Sequence, residues 1–144
     1  MRFGNFSKNV NIIRLEKGEE VLESLSSFVS KHNISNGAIL GLGSLENPTL
    51  AHYRVADKRY SEKTLKGIFE VTNLTGTIGL FENEPVVHIH VTLSDENMLG
   101  FGGHVVKATV SATMEIVIWS YPSSFEKKQN DKIGLKLFEL PEEM

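Results

Sequence analysis

The sequence predicts an α+β domain in which one helix packs on a mostly antiparallel sheet of about seven strands. Three observations carry that prediction. The chain has 144 residues and a mass of 16.1 kDa, enough for one domain with a sizeable core and too short for two, so residues 1–144 are read as a single domain. Apolar residues recur at helical spacing in one segment only. Almost everywhere else they alternate, and the alternating segments follow one another across short polar turns, which makes neighbours of consecutive strands.

The first strand is Val10–Leu15, where Val10, Ile12 and Arg14 face one way and Asn11, Ile13 and Leu15 the other. From Glu19 to His32 the period changes: Val21, Leu22, Leu25, Phe28 and Val29 form one stripe of a helix of about four turns. Glu19, Glu20 and Glu23 suit its N-terminus, Lys31 and His32 its C-terminus, and Asn33 is the stop. Ala38–Leu42 is a short buried run whose glycines, Gly37, Gly41 and Gly43, are explained by close strand packing. No helix follows them, so the phosphate-cradle reading fails. Leu50–Val55 and Arg59–Leu65 flank a charged hairpin turn at Ala56–Lys58. Phe69–Phe81 is a strand with bulges expected at Gly76 and Gly79, and Glu82–Pro85 a turn. Val86–Leu93 is a strong strand, Asp95–Gly103 a glycine-rich connection, and Val105–Trp119 a long strand with Met114, Ile116 and Ile118 on one face. Tyr121–Asp131 reads as a polar loop and Ile133–Leu140 as a last strand. Phe3, Phe6, Trp119, Tyr121 and Phe125 are candidates for a subunit-contact face or for ordinary core.

Composition excludes several function classes. With Lys plus Arg at 15 against Asp plus Glu at 18, the formal charge is −3, which does not favour a polyanionic partner. No Cys occurs, which removes disulfides, thiolate metal sites and Cys nucleophiles, so a soft-metal site must use His and carboxylates. The segment Met1–Phe6 lacks the apolar core of a signal peptide, and no run reaches the ~18 apolar residues of a membrane span; a cytoplasmic protein is expected.

The candidate site is Val86-Val87-His88-Ile89-His90-Val91, in which two His two apart on a strand point to one face. Their Cα atoms would lie roughly 6.5 Å apart, within reach of one metal ion. The same pattern suits partly buried sheet histidines hydrogen-bonded to neighbours. His104 closes Gly100-Phe101-Gly102-Gly103-His104 and could supply a third imidazole, leaving an open metal position of the catalytic kind. A hairpin centred near Leu99 would pair His104 with Ser94, roughly 13 Å from His90, so a shared site requires the glycine segment to fold back or the strands to be offset. Gly100, Gly102 and Gly103 permit such a return. His32 and His52 read as helix-end and exposed hairpin residues, and Lys127-Lys128 as a solvated loop. No Ser, His and Asp stand in a triad context.

Taken in order, Gly37-Ala38-Ile39-Leu40-Gly41-Leu42-Gly43-Ser44, Gly67-Ile68-Phe69-Glu70-Val71 with Leu74-Thr75-Gly76, His88-Ile89-His90-Val91, Gly102-Gly103-His104 and Met114-Glu115-Ile116-Val117-Ile118 resemble the plant and prokaryote conserved (PPC) domain, stand-alone prokaryotic type, over about residues 10–119. The resemblance implies a strongly bent, mostly antiparallel sheet like that of the acetolactate decarboxylase-like fold, a homotrimer, and His88, His90 and His104 as ligands of zinc or another divalent transition metal. It singles out Glu70 and Glu115 as carboxylates to weigh, each a proton carrier or a buried or interface carboxylate paired with Lys or Arg; neither is assigned a catalytic role. Plant members add AT-hook segments that enter DNA, and this chain has no Arg-Gly-Arg-Pro core and no basic tail. Three functions follow as expectations: a metal-binding homotrimer with a possible small-molecule ligand at the metal, a DNA-binding or transcription-associated module, and a zinc-dependent enzyme acting on a small carbonyl or carboxylate compound. No cofactor-binding residues beyond the metal ligands are expected.

Overall fold

A computed structural model describes residues 1–122 and 125–142, with the side chain of Phe6 outside the described set. In chain order the elements are β1 (Arg2–Ser7), β2 (Val10–Glu16), α1 (Val21–Lys31), β3 (Gly37–Arg54), β4 (Arg59–Thr64), β5 (Ile68–Phe81), β6 (Glu84–Ser94), β7 (Gly100–Ser120), β8 (Lys127–Asn130) and β9 (Leu135–Phe138). The first seven strands form one antiparallel sheet in the order β1-β2-β7-β6-β5-β3-β4, and β8 and β9 pair as a separate hairpin. Because β3 also pairs with β7, the ladder β7-β6-β5-β3 returns on itself, and the expected bent sheet closes into a ring of four strands.

Strand alternation divides the residues. Ile13 and Leu15 on β2, Ile39 and Leu45 on β3, Ile89 and Leu93 on β6, and Met114, Ile116 and Ile118 on β7 all turn inwards and are fully buried. Helix α1 adds Val21, Leu25, Phe28 and Val29 to the same core. Its cap is Glu20, which accepts one hydrogen bond from the Glu23 amide and another from the Ala108 amide, both at 2.7 Å, and so fixes the helix against β7.

Close strand packing explains the early glycines, as expected. A Cβ on Gly37 would stand 2.5 Å from the Trp119 carbonyl oxygen, and one on Gly43 2.2 Å from that of Thr113. The other expected glycine role fails. The β5–β6 register runs unbroken past Gly76 and Gly79, and the irregularities fall between Val71 and Asn73 on β5 and between Gly41 and Gly43 on β3. These two glycines serve close approach instead, Gly76 to the β6 backbone and Gly79 to the side chains of β8 and β9.

Two elements escaped the sequence pattern. The edge strand β1 carries exposed polar residues and a glycine, so no alternation marks it. The expected loop at Tyr121–Asp131 contains β8. The aromatic candidates do not form one face: Phe3 packs edge-on to Phe28 and His32 beside the helix, whereas Trp119 lies on the outer face of β7.

A candidate metal centre beside an open cleft

The β6–β7 hairpin sets the site. Asp95 makes a tight turn in which its Oδ1 accepts from the amides of Asn97 and Leu99, each at 2.9 Å, and Met98 takes a left-handed φ of 62°. The turn is therefore centred on Asn97, two residues earlier than the expected centre near Leu99. Pairing begins at Ser94 with Gly100, and His104 stands directly opposite His90. Gly100, Gly102 and Gly103 belong to β7, and no fold-back is needed.

Since Ile89, Val91 and Val105 face the core, His88, His90 and His104 face outwards together. Thr77 and Thr75 of β5 stand beside His88 and His90 in the same register. The Nε2 atom of His88 is 3.2 Å from Nε2 of His90 and 3.1 Å from Nδ1 of His104, and the three ligand nitrogens all lie within 4.8 Å of one another. A tetrahedral zinc site with Zn–N bonds near 2.0–2.1 Å has N···N edges of about 3.3 Å, so two edges already have the required size. Three neutral imidazoles suit a divalent transition metal and leave a tetrahedral position for another ligand.

The surroundings favour the ligating form of two of these rings, His88 and His104. Burial, then the neighbouring His104, Lys127 and His90, push the His88 pKa from 6.5 down to about 4. Burial, then His90, lowers that of His104. Tyr60 of β4 stacks on the His104 ring with centroids 4.9 Å apart and 29° between planes, which fixes its orientation. Burial, with Tyr53 beside it, raises the Tyr60 pKa, so its hydroxyl stays protonated.

An open cleft of about 620 Å³ lies between this cluster and the β8–β9 hairpin. The hairpin is tied at both ends. Asn36 exchanges hydrogen bonds with the Phe125 backbone, while at the far end the Tyr53 hydroxyl donates to the Ile133 carbonyl at 2.6 Å and Lys58 donates to that of Asp131 at 2.7 Å. Between these ties Gly79 allows Phe138 to approach so closely that a Cβ there would meet the ring at 2.4 Å.

The expected burial of Glu70 and Glu115 is not found. The apolar residues flanking each, Phe69 and Val71 or Met114 and Ile116, are inward-facing, so alternation leaves both carboxylates exposed on the opposite face. Glu70 pairs across from Ser94 and Glu115 from Arg14, away from the His cluster. Neither forms an ion pair among the described residues. His52 is exposed and His32 caps α1, as expected. Lys127 overturns its expectation as a solvated loop residue: it is 7% exposed, it lines the cleft, and burial lowers its pKa. Nothing in Lys127-Lys128 marks one lysine as inward; only the pairing of β8 with β9 does so. Tyr60 too carries no sequence signal, because its partner His104 is supplied by a strand distant in sequence.

A family model described as the Plants and Prokaryotes Conserved (PCC) domain matches residues 3–122. Among solved structures, a Bacteroides thetaiotaomicron protein provisionally called DNA-binding has a TM-score of 0.92 at 25% identity, over 96% of each chain. The PPC protein of Pyrococcus horikoshii has a TM-score of 0.85 at 31% identity, over 98% of this chain and 95% of its own. A protein of Archaeoglobus fulgidus described as metal-containing has a TM-score of 0.84 at 24% identity, covering 97% of this chain and 99% of its own, and shares the fold. No curated protein matches this sequence.

The depressed His88 pKa has a consequence for the metal-free protein. Between about 4 and 6.5 the unfolded chain binds more protons at this residue than the folded one, so stability falls as pH drops through that window. Urea denaturation at pH 7, 5.5 and 4.5 should show a smaller acid-side loss for His88→Gln than for the unmutated chain. Equal losses would contradict a buried, neutral His88.

Proposed function

The chain belongs to the Plants and Prokaryotes Conserved domain family, and on that premise we propose that it is a cytoplasmic homotrimer holding one divalent transition metal ion per chain, zinc expected, through His88, His90 and His104. The observation that carries this reading is the convergence of three imidazole nitrogens within 4.8 Å, two of them, those of His88 and His104, belonging to residues that line an open cleft. When bound there, such an ion supplies Lewis acidity, polarising a carbonyl or lowering the pKa of water towards ~7. The chain's own residues do the rest. Burial keeps His88 and His104 neutral, the Tyr60 ring holds His104 in place, and the cleft admits a small molecule to the open side of the cluster. A metal-dependent reaction on a small carbonyl or carboxylate compound fits that arrangement, with the proton carrier unassigned.

Support for assembly comes from the outer face of β2, β7 and β3. Ile12, Val117 and Leu40 stand side by side in register there, flanked by Leu42 at 58% and Trp119 at 38% exposure. A contiguous apolar stripe of this kind suits contact with further copies of the chain.

The provisional DNA-binding description of the Bacteroides protein favours a second reading. Strand β4 is exposed at every position and carries Arg59 and Lys63, with Lys58 and Lys66 at its ends, and threefold repetition would multiply that charge. Against it stands the net charge of −3.

Three measurements separate these readings. Protein purified without an affinity tag or added metal should carry close to one equivalent of a divalent transition metal per chain, and His90→Ala should lower occupancy sharply; zinc that leaves metal-free protein no more stable would contradict the site. Light scattering coupled to size exclusion should give the mass of three chains, and a 16.1 kDa species across micromolar concentrations would refute the trimer. Fluorescence anisotropy with AT-rich and GC-rich duplexes should show binding no tighter than roughly 10⁻⁴ M at physiological salt. Submicromolar, sequence-selective binding would put the DNA reading first.

A further inference from the structure

We propose that the cleft beneath the β8–β9 hairpin binds a small organic anion, with the Lys127 ammonium holding its carboxylate and Val87, Leu135 and Phe138 its hydrocarbon body. This deepens the metal-site reading, since His88 and His104 form the facing wall, but the charge argument stands on Lys127 by itself.

Lys127 is 7% exposed, and its Nζ lies 4.6 Å from the centroid of the Phe138 ring. Among the described residues no carboxylate pairs with it. Its neighbour shows the alternative: Lys128 points outwards and forms an ion pair with Glu139. Burying an ammonium without a counter-charge is costly, and the ring face offsets part of that cost only. No fully sealed side-chain nitrogen or oxygen among the described residues lacks a hydrogen-bond partner, so the Lys127 ammonium, which has no acceptor among those residues, keeps an accessible face. Lys127 is one of the residues that line the cleft.

The rest of the lining sets the ligand class. Lys136 is occupied over the Phe81 ring at 3.6 Å, and the cleft walls contain no Asp or Glu. An apolar wall on the hairpin faces two imidazoles across a hollow of about 620 Å³. A molecule with one anionic end and a short apolar body satisfies the unpartnered ammonium and covers the exposed hydrocarbon together. Its other polar atoms would lie against the His cluster.

The test compares isovalerate with isovaleramide, which share a hydrocarbon body and differ in charge. Chemical-shift titrations of the full chain, with and without zinc, should show the carboxylate bound at least about tenfold more tightly than the amide. Lys127→Met keeps the apolar stem and should bring the two ligands within about twofold of each other with zinc content unchanged, while Lys128→Met should leave the preference intact. In the unmutated protein the Lys127 Cε–Hε cross-peak should move with isovalerate and not with isovaleramide, a readout independent of how the variant folds. Equal binding of acid and amide by the unmutated chain, or a preference retained in folded Lys127→Met, would overturn the proposal. A Lys127-dependent preference in a chain that binds no zinc would overturn the metal reading alone; one equivalent of zinc with no preference would overturn this proposal alone.

Discussion

The position of His104 directly across from His90 is the constraint on which the site depends. In a strand pair a slip of one residue turns every side chain to the other face, so this register must be held against strong alternatives. It is held twice. The Asp95 carboxylate fixes the turn by accepting from two amides, and Ile89, Val91, Leu93 and Val105 must remain in the core. Any other pairing that kept those apolar residues inside would shift His104 by two positions, and the three imidazoles would no longer meet. The inward demand of the core thus delivers the outward cluster.

How far the sequence reveals this depends on how local each cause is. Two His on one strand face were legible because period two is a property of the strand itself. The same holds for the helical stripe of Val21 to Val29 and for the inward Met114, Ile116 and Ile118. The position of His104 relative to His90 depended on where the chain reverses, and the run of glycines drew the turn centre towards Leu99. The deciding residue was Asp95, whose side chain replaces strand pairing with a turn of its own. Glu70 and Glu115 lie outside for a related reason: apolar neighbours in a strand mark the opposite face, so a flanked carboxylate is turned away from the core. Lys127 was illegible altogether, because its environment is made by Phe138, Gly79 and the His cluster, all distant in sequence.

Three hairpins build the cleft, and each contributes something the others lack. The β6–β7 pair supplies three nitrogen donors, and burial holds two of them, His88 and His104, towards the neutral form. From β3–β4 come Tyr60, which stacks on His104, and Tyr53, which ties down the third hairpin. The β8–β9 pair brings a lysine with a buried stem and an apolar wall. A metal ion held by the three imidazoles would face the Lys127 ammonium across one hollow and concentrate positive charge there, which would favour an anion in the space between them. Family membership and fold are shared with proteins of differing description, and the distinction between them lies in such side chains rather than in the sheet.

If the site works as proposed, the three imidazoles share one ion. X-ray absorption at the metal edge of protein loaded with a single equivalent of zinc tests it most directly. The expected spectrum is that of a four-coordinate shell with three nitrogens at about 2.0–2.1 Å and the outer-shell scattering of three imidazole rings. A shell dominated by oxygen, or one that is unchanged when His88 is replaced by Gln, would contradict it.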